Sequence, residues 1–236
     1  MKNISLLLFL ITVLLFSQSC AQTNDEKYTF REGDRHGIGK WYMGREIAYV
    51  MGFQGINWLE RPEREKEENT SKLLSNMKIS LDDVIADIGA GSGYHVFKMA
   101  PLAKDGLVYA VDIQEEMLTA IRKKRENSPS KNIETIKGSE QLVNLPENTV
   151  DKVLMVDVYH EFNYPIEMIA SIKKALKKEG KIFLIEYRGE DPNVPIKEVH
   201  KMTENQSVKE MEAAGFKLEQ NIKNLPWQHC MVFVKK

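Results

Sequence analysis

The sequence predicts an α/β fold: a doubly wound, mostly parallel sheet that ends in an antiparallel C-terminal hairpin. Three observations carry this. From residue 83 onward, short apolar runs alternate with helical stretches. The runs VIADI (84–88), LVYAVDI (107–113), VLMVDV (153–158) and KIFLIEY (181–187) are near-continuously apolar, as parallel strands covered on both faces must be. The chain closes with FKLEQNIKNL and PWQHCMVFVKK, two strand-like runs joined by a turn near 224–226, which suits an antiparallel edge pair.

The elements between follow from their patterns. Residues 94–103, 115–126 and 165–177 read as helices, and MLTAIRKK and MIASIKKALKK combine an apolar stripe with a lysine-rich face. IETIK (133–137) supplies a further strand, and Gly180 fits the turn into the strand at 181. Alternating strands and helices of this kind wind into one open sheet. Upstream, Trp41, Tyr42, Gly44, Tyr49, Gly52, Phe53, Gly55 and Trp58 make a mixture suited to a surface cap. Trp41, Tyr42 and Arg45 either close a pocket from above or simply pack on the helical layer. Residues 60–77 are helical, with Pro62 in a first turn, Glu60/Arg64 and Arg64/Glu68 as i,i+4 pairs, and Leu73, Leu74 and Met77 as an apolar edge. The charge run ERPEREKEE is expected to be a solvated helix face.

The first residues are a different kind of signal. Lys2 precedes an apolar run of 13 residues (4–16), the length of a secretory h-region and short of the ~20 residues that span a bilayer. Ser17 and Ser19 stand at −3 and −1 before Cys20. This arrangement resembles the lipobox of bacterial lipoproteins, with Gln18 where a small or hydroxyl residue is commoner. The resemblance implies acylation of Cys20, a membrane contact through that lipid, and a place in the cell envelope on the periplasmic side. An ordinary secretory signal cut at the same bond, or a short uncleaved anchor, are the other readings. The polar stretch 21–37 reads as a tether. The formal charge of −1 over 236 residues supplies no basic field for nucleic acid. If Cys20 is acylated, Cys230 is the remaining cysteine, and it reads as a small buried hydrophobe with no intrachain disulfide possible.

The chemistry begins at DIGAGSGY. A strand ends at Ile88, and Gly89, Gly91 and Gly93 follow at alternate positions before a helix. Glycine permits positive φ and close approach of a ligand to the backbone, and the helix start offers free N–H groups. The dinucleotide pattern G-x-G-x-x-G/A fails here, because Tyr94 stands at its third small position. The next strand ends in Asp112, 23 residues after Gly89, where a carboxylate can accept both hydroxyls of a ribose. Together these features narrow the ligand to an adenosine-bearing cofactor.

The pair of motifs resembles class I S-adenosylmethionine-dependent methyltransferases, whose first motif E/DxGxGxG is matched by Asp87, Gly89, Gly91 and Gly93. The resemblance covers roughly 60–236. It implies a Rossmann-like seven-stranded, mostly parallel sheet and S-adenosylmethionine as cofactor; with the N-terminal signal, the chain divides into signal peptide (1–19), tether and N-terminal cap (20–58) and methyltransferase domain (59–236). It also implies roles: Asp87 and the Gly89–Gly93 loop for the methionine part, Asp112 for the ribose, Ile113 against the adenine. Ser139, followed by Glu140, occupies the place where the family often carries an acidic residue for the adenine amino group.

At the fourth strand the rim VDVYHEF (156–162) would face cofactor and acceptor, bringing Asp157 into the cofactor set. Amino-methylating nucleic-acid enzymes carry Asn/Asp-Pro-Pro-Tyr/Phe there, which Asp157-Val158-Tyr159-His160 does not match, so no nucleic-acid partner is expected. The stretch from Asn163 to Arg188 resembles the small-molecule branch, quinone-biosynthesis enzymes among them. His160 is the candidate general base, with Glu161 beside it and Glu186 and Tyr187 on the same rim. HEF and His200 in KEVHKM raise the question of metal. With no second histidine at helical spacing from Glu161, none is expected. The loop 188–202 is expected to wall the acceptor. The function expected is methyl transfer to a small-molecule or lipid-like acceptor. A protein carboxyl methyltransferase of the isoaspartyl type and an exported binding or sensing lipoprotein on the same scaffold are the alternatives. The sequence carries no sign of oligomeric state.

Overall fold

A computed structural model describes residues 27–236. The expected signal peptide, Cys20 and the first part of the expected tether lie outside the described residues. Three short strands come first: β1 (Tyr28–Phe30), β2 (Gly37–Tyr42) and β3 (Arg45–Ala48), an antiparallel sheet of order β1-β2-β3. Part of the stretch read as a tether therefore belongs to this sheet, because Tyr28 has somewhere to bury. It packs against Tyr42 and Tyr164 with Ile47 beneath.

Three helices follow: α1 (Ile56–Leu59), α2 (Arg64–Glu68) and α3 (Thr70–Met77). The main body then alternates β4 (Val84–Ile88), α4 (Val96–Met99), β5 (Leu107–Asp112), α5 (Glu115–Glu126), β6 (Ile133–Lys137), β7 (Val150–Val156), α6 (Pro165–Ala175) and β8 (Leu176–Tyr187). It ends with α7 (Glu204–Ala213), β9 (Phe216–Asn221) and β10 (Gln228–Lys235). The seven-stranded sheet has the order β6-β5-β4-β7-β8-β10-β9. β4 to β8 pair in parallel, and β10 runs antiparallel to both β8 and β9. The fold class is the one expected from the sequence.

Alternation along each strand divides the core in two. Ile85, Val108, Ala110, Leu154 and Phe183 face α3, α4 and α5 through Leu73, Val96, Met99 and Ile121. Ala86, Ile88, Val111, Val153, Met155 and Leu184 face α6 and α7 through Met168, Ile172 and Met211. Burying both faces is what made the strands read as unbroken apolar runs. Cys230 is fully buried on the first face, and burial pushes its thiol up to about 11. Among the described residues, no helix is long and apolar enough to cross a membrane.

The connection from β4 goes to β5 on one side, and the chain later returns to β7 on the other. The carboxyl end of β4 is therefore the switch point of the sheet, where open α/β folds form their ligand crevice.

Candidate active site

At that switch point lies a cavity of about 430 Å³, lined by Gly89 and Gly91, Asp112 and Ile113, Ser139 and Glu140, and the Asp157–Asn163 rim. The segment 50–59 covers it through Val50, Met51, Trp58 and Leu59, and the far loop contributes Pro195, Ile196, Lys197 and His200. The volume is that of a small-molecule site.

The glycine loop is shaped by backbone geometry. Gly91 has φ +53°, and a Cβ there would stand 2.5 Å from Leu59 Cδ1. Gly89 has φ +73°, and its Cβ would meet Val158 Cγ2 at 2.4 Å. Gly93 does a different job. It does not line the cavity, and its bare Cα lets Ile121 and Phe97 pack close to it. The N–H groups of Gly89 and Ala90 donate to the Val111 carbonyl, and Gly91 donates to Asp112 Oδ2 at 2.9 Å. Gln114 N–H donates to Oδ1 of the same carboxylate at 2.8 Å. Asp112 thus ties the loop to the tip of β5 while still lining the cavity. Burial pushes its pKa up, and these backbone donors oppose that.

Asp87 sits beneath the loop rather than on the cavity wall. It is 2 % exposed, and its Oδ2 has no hydrogen-bond partner. Burial raises its pKa to about 7, with Arg64 pulling down and Asp112 pushing up. An orphaned buried carboxylate oxygen next to a bare glycine loop suits a ligand that brings its own cation there. The residues present therefore fit the amino-acid end of S-adenosylmethionine.

The rim at the end of β7 is the most constrained part of the site. Asp157 has φ +50°, a left-handed conformation that aspartate tolerates better than bulky residues. Its Oδ2 accepts from Gln228 Nε2 at 2.6 Å, and its Oδ1 is buried without a partner. Burial first, then the carboxylates of Glu68 and Glu186, push Asp157 well above the usual range. His160 is 2 % exposed. Its Nδ1 lies 2.6 Å from Glu186 Oε2, and its Nε2 lies 3.1 Å from His200 Nδ1. Burial pulls the imidazole pKa down, but Glu186 outweighs this and holds it above the usual value. Glu161 accepts the Met51 N–H at 3.1 Å. His160 and Glu161 are thus together at the cavity as the sequence suggested, and both already have partners.

Two sequence expectations change here, and one open reading closes. The charge run is a solvated face only in part: Glu60, Glu63, Glu65 and Lys66 are exposed, but two of its residues are not. Arg64 and Glu68 are 5 % and 3 % exposed, and Glu68 accepts from Arg64, Arg61 and the Tyr187 hydroxyl at the cavity edge. Glu60 pairs with Lys124 rather than Arg64. Arg64 and Glu68 lie one turn apart on the inner side of α2, while Glu65 and Lys66 stay on its surface. Of the two readings open for Arg45, packing on the helical layer is the one seen. Arg45 forms a two-pronged ion pair with Glu210 of α7 and donates to the His160 carbonyl, which docks the small sheet behind the rim. Ser139 and Glu140 line the cavity where the sequence put them; Ser139 Oγ accepts from the Gln141 and Leu142 N–H groups, and Glu140 accepts from Asn163 of the β7 rim.

The sequence reading also missed functional wall residues. Met51, Leu59, Arg61, Arg64, Glu68 and Gln114 line the cavity without belonging to any motif. Only the unusual density of charge before α3 pointed toward some of them. Likewise His200 was set aside for lack of helical spacing from Glu161, yet the fold brings it there from a loop 40 residues away.

Residues 86–184 match the family model of the methyltransferase domain. Taken with the doubly wound sheet and the glycine-loop site, this match indicates an S-adenosylmethionine-dependent methyltransferase domain of the class I type over that stretch, with S-adenosylmethionine as its cofactor. Among curated proteins it is similar to the uncharacterized methyltransferase YdaC of Bacillus subtilis, at 29% identity over 61% of this chain and 76% of that protein. It is also similar to the ubiquinone/menaquinone biosynthesis C-methyltransferase UbiE of Wigglesworthia glossinidia brevipalpis, at 29% identity over 45% of this chain and 43% of that one. Among solved structures, a SAM-dependent methyltransferase from Aquifex aeolicus shares the fold with a TM-score of 0.74 at 23% identity, over 78% of this chain and 98% of the other.

Proposed function

We propose that this methyltransferase acts on a small-molecule or lipid-like acceptor, held between the cofactor loop and the His160–Glu161–His200 wall. The observation that carries the reading is the cavity itself. One continuous space joins the glycine loop and Asp112 to a second end formed by Phe162, Met168, Ile196 and the two histidines. The segment 50–59 roofs it, which suits a compact acceptor better than a folded protein chain carrying an isoaspartyl residue. The similarity to a quinone-biosynthesis enzyme favours the same class.

When bound, S-adenosylmethionine supplies a methyl group that is already activated, so the protein's work is alignment, exclusion of water and handling of any acceptor proton. Asp87 and the Gly89–Gly91 backbone would hold the amino-acid end, Asp112 the ribose, and Ile113 the face of the base. Met51 and Leu59 shield the site from solvent. His160 has its Nδ1 pinned by Glu186 and its Nε2 against His200, so a proton leaving the acceptor would pass to the histidine pair rather than to an isolated base.

The same proposal places the enzyme in the cell envelope, anchored through Cys20. The motif around Cys20 supports this, and a membrane-proximal acceptor is then the first to test. Fatty-acid labelling of the full chain and of Cys20→Ala decides the anchor: labelling lost in the variant is expected, and labelling retained would overturn it. Calorimetry of the full chain with S-adenosylmethionine and S-adenosylhomocysteine, followed by transfer of labelled methyl to quinols and phenolic lipids, tests the activity. Absence of binding would sink the methyltransferase reading. Binding with no transfer to any acceptor would favour a sensing role.

A further inference from the structure

We propose that His160, Glu161 and His200 form a binding site for one divalent first-row transition-metal ion on the acceptor side of the cavity. The three donor atoms already form a compact triangle. His160 Nε2 lies 3.1 Å from His200 Nδ1 and 3.8 Å from Glu161 Oε1, and His200 Nδ1 lies 3.6 Å from that same oxygen. For a triangle with these sides, one point lies about 2.0 Å from all three atoms, which is the length of a zinc–imidazole or zinc–carboxylate bond.

The atoms are also oriented from behind. Glu186 is fully buried, and it accepts the Tyr159 N–H at 2.9 Å as well as bonding His160 Nδ1. A proton held on Nδ1 leaves the Nε2 lone pair directed at the triangle, the carboxylate–histidine–metal arrangement common around bound metals. Met51 N–H occupies Glu161 Oε2, which leaves Oε1 for the histidines. His200 enters from the 188–202 loop at 20 % side-chain exposure, so the site stays open toward the cavity.

Two imidazoles and one carboxylate with open positions suit zinc or iron(II), whereas calcium and magnesium prefer all-oxygen sets. The ion's free positions would take an oxygen of the acceptor and hold it as the more nucleophilic, deprotonated form; with the ion bound, the histidine nitrogens are ligands and no longer take the proton, which leaves to solvent. This role in methyl transfer rests on the function proposed above. The metal site itself does not.

The test is zinc binding to the full chain, by calorimetry with a metal count on the dialysed protein, and visible spectra of the cobalt(II) form. One zinc per chain is expected, with tetrahedral-type cobalt bands. His200→Ala and Glu161→Gln should weaken zinc at least tenfold and abolish those bands, and Glu186→Gln should weaken it about 10–100-fold. S-adenosylmethionine affinity is measured on the same samples. No zinc in the wild type, or zinc and cobalt bands retained in both His200→Ala and Glu161→Gln, would overturn the site and show the cluster to be a hydrogen-bonded histidine pair. Loss of cofactor binding in the wild type would instead overturn the methyltransferase reading while leaving the metal result standing.

Discussion

Asp112 accepts the backbone N–H of Gly91 at 2.9 Å, so the carboxylate at the tip of β5 holds the glycine loop at the tip of the neighbouring β4. Replacing it removes a ligand contact and a structural one together. Asp112→Ala leaves the Gly91 and Gln114 N–H groups without their acceptor, at a cost of roughly 1–3 kcal/mol each where water cannot reach them. We expect a fall of at least tenfold in S-adenosylhomocysteine affinity by calorimetry, with a lowered melting temperature. Unchanged affinity would show that the ribose lies elsewhere.

Gly91→Ala tests the loop without touching a charge. Its φ of +53° strains any side chain there, and a methyl group would also push the end of the Leu59 side chain, 2.5 Å away, off the loop. A cost of about 1–3 kcal/mol is expected from such a conformation. Chemical denaturation should show it, together with weakened cofactor binding. Gly93→Ala should lose stability through its own φ of +77° and through packing against Ile121 and Phe97, with a smaller effect on the cofactor because Gly93 does not line the cavity.

Asp87 gives the site a pH signature. Its folded pKa, about 7, lies above the ordinary carboxylate value, so the folded protein binds this proton more tightly than the unfolded chain does. Stability of the free protein from this group is therefore greatest at low pH. It falls as pH rises between about 4 and 7, by up to roughly 1.4 kcal/mol per pH unit. Cofactor affinity should run the other way, rising toward pH 7 as the carboxylate forms and pairs with the ligand's amino group. Asp87→Asn should flatten both curves; titrations at pH 5.5, 6.5 and 7.5 check it.

Arg45 and Glu210 lie 165 residues apart in the chain and form a two-pronged ion pair with Glu210 fully buried. Arg45→Ala strands that carboxylate beside the Tyr159 hydroxyl. Breaking a buried pair from one side costs about 3–5 kcal/mol, which urea denaturation would resolve. The same change frees the small N-terminal sheet, so faster proteolysis around residues 28–48 should accompany it. Arg45→Lys keeps the charge but not the fork, and should fall between.

Much of this molecule was legible in order of chain. VIADI and IETIK are strands with the bounds their residues suggested, and the helix over 115–126 has the bounds its residues suggested. The helix at 204–213 was missed because ENQSVKEMEA carries few apolar residues. Its buried positions are Ser207, Glu210 and Met211, and the glutamate is satisfied by Arg45, Tyr159 and Gln206 from distant segments. The helix expected over 165–177 stops at Ala175, and the strand begins at Leu176 rather than at 181, with Gly180 inside it instead of in a turn. Pairing across the sheet overrides local propensity there.

The sequence by itself determined the sheet, the cofactor loop and the carboxylates of Asp87 and Asp112. Those features rest on period, glycine and short spacing, which local chain geometry controls. The tertiary structure decided what the acceptor end is made of. It turned Arg64 and Glu68 inward, used Arg45 as a clasp, and set His200 3.1 Å from His160 across 40 residues of chain. Such contacts leave no periodic trace, because their energy comes from partners that meet only once the sheet and its loops have closed.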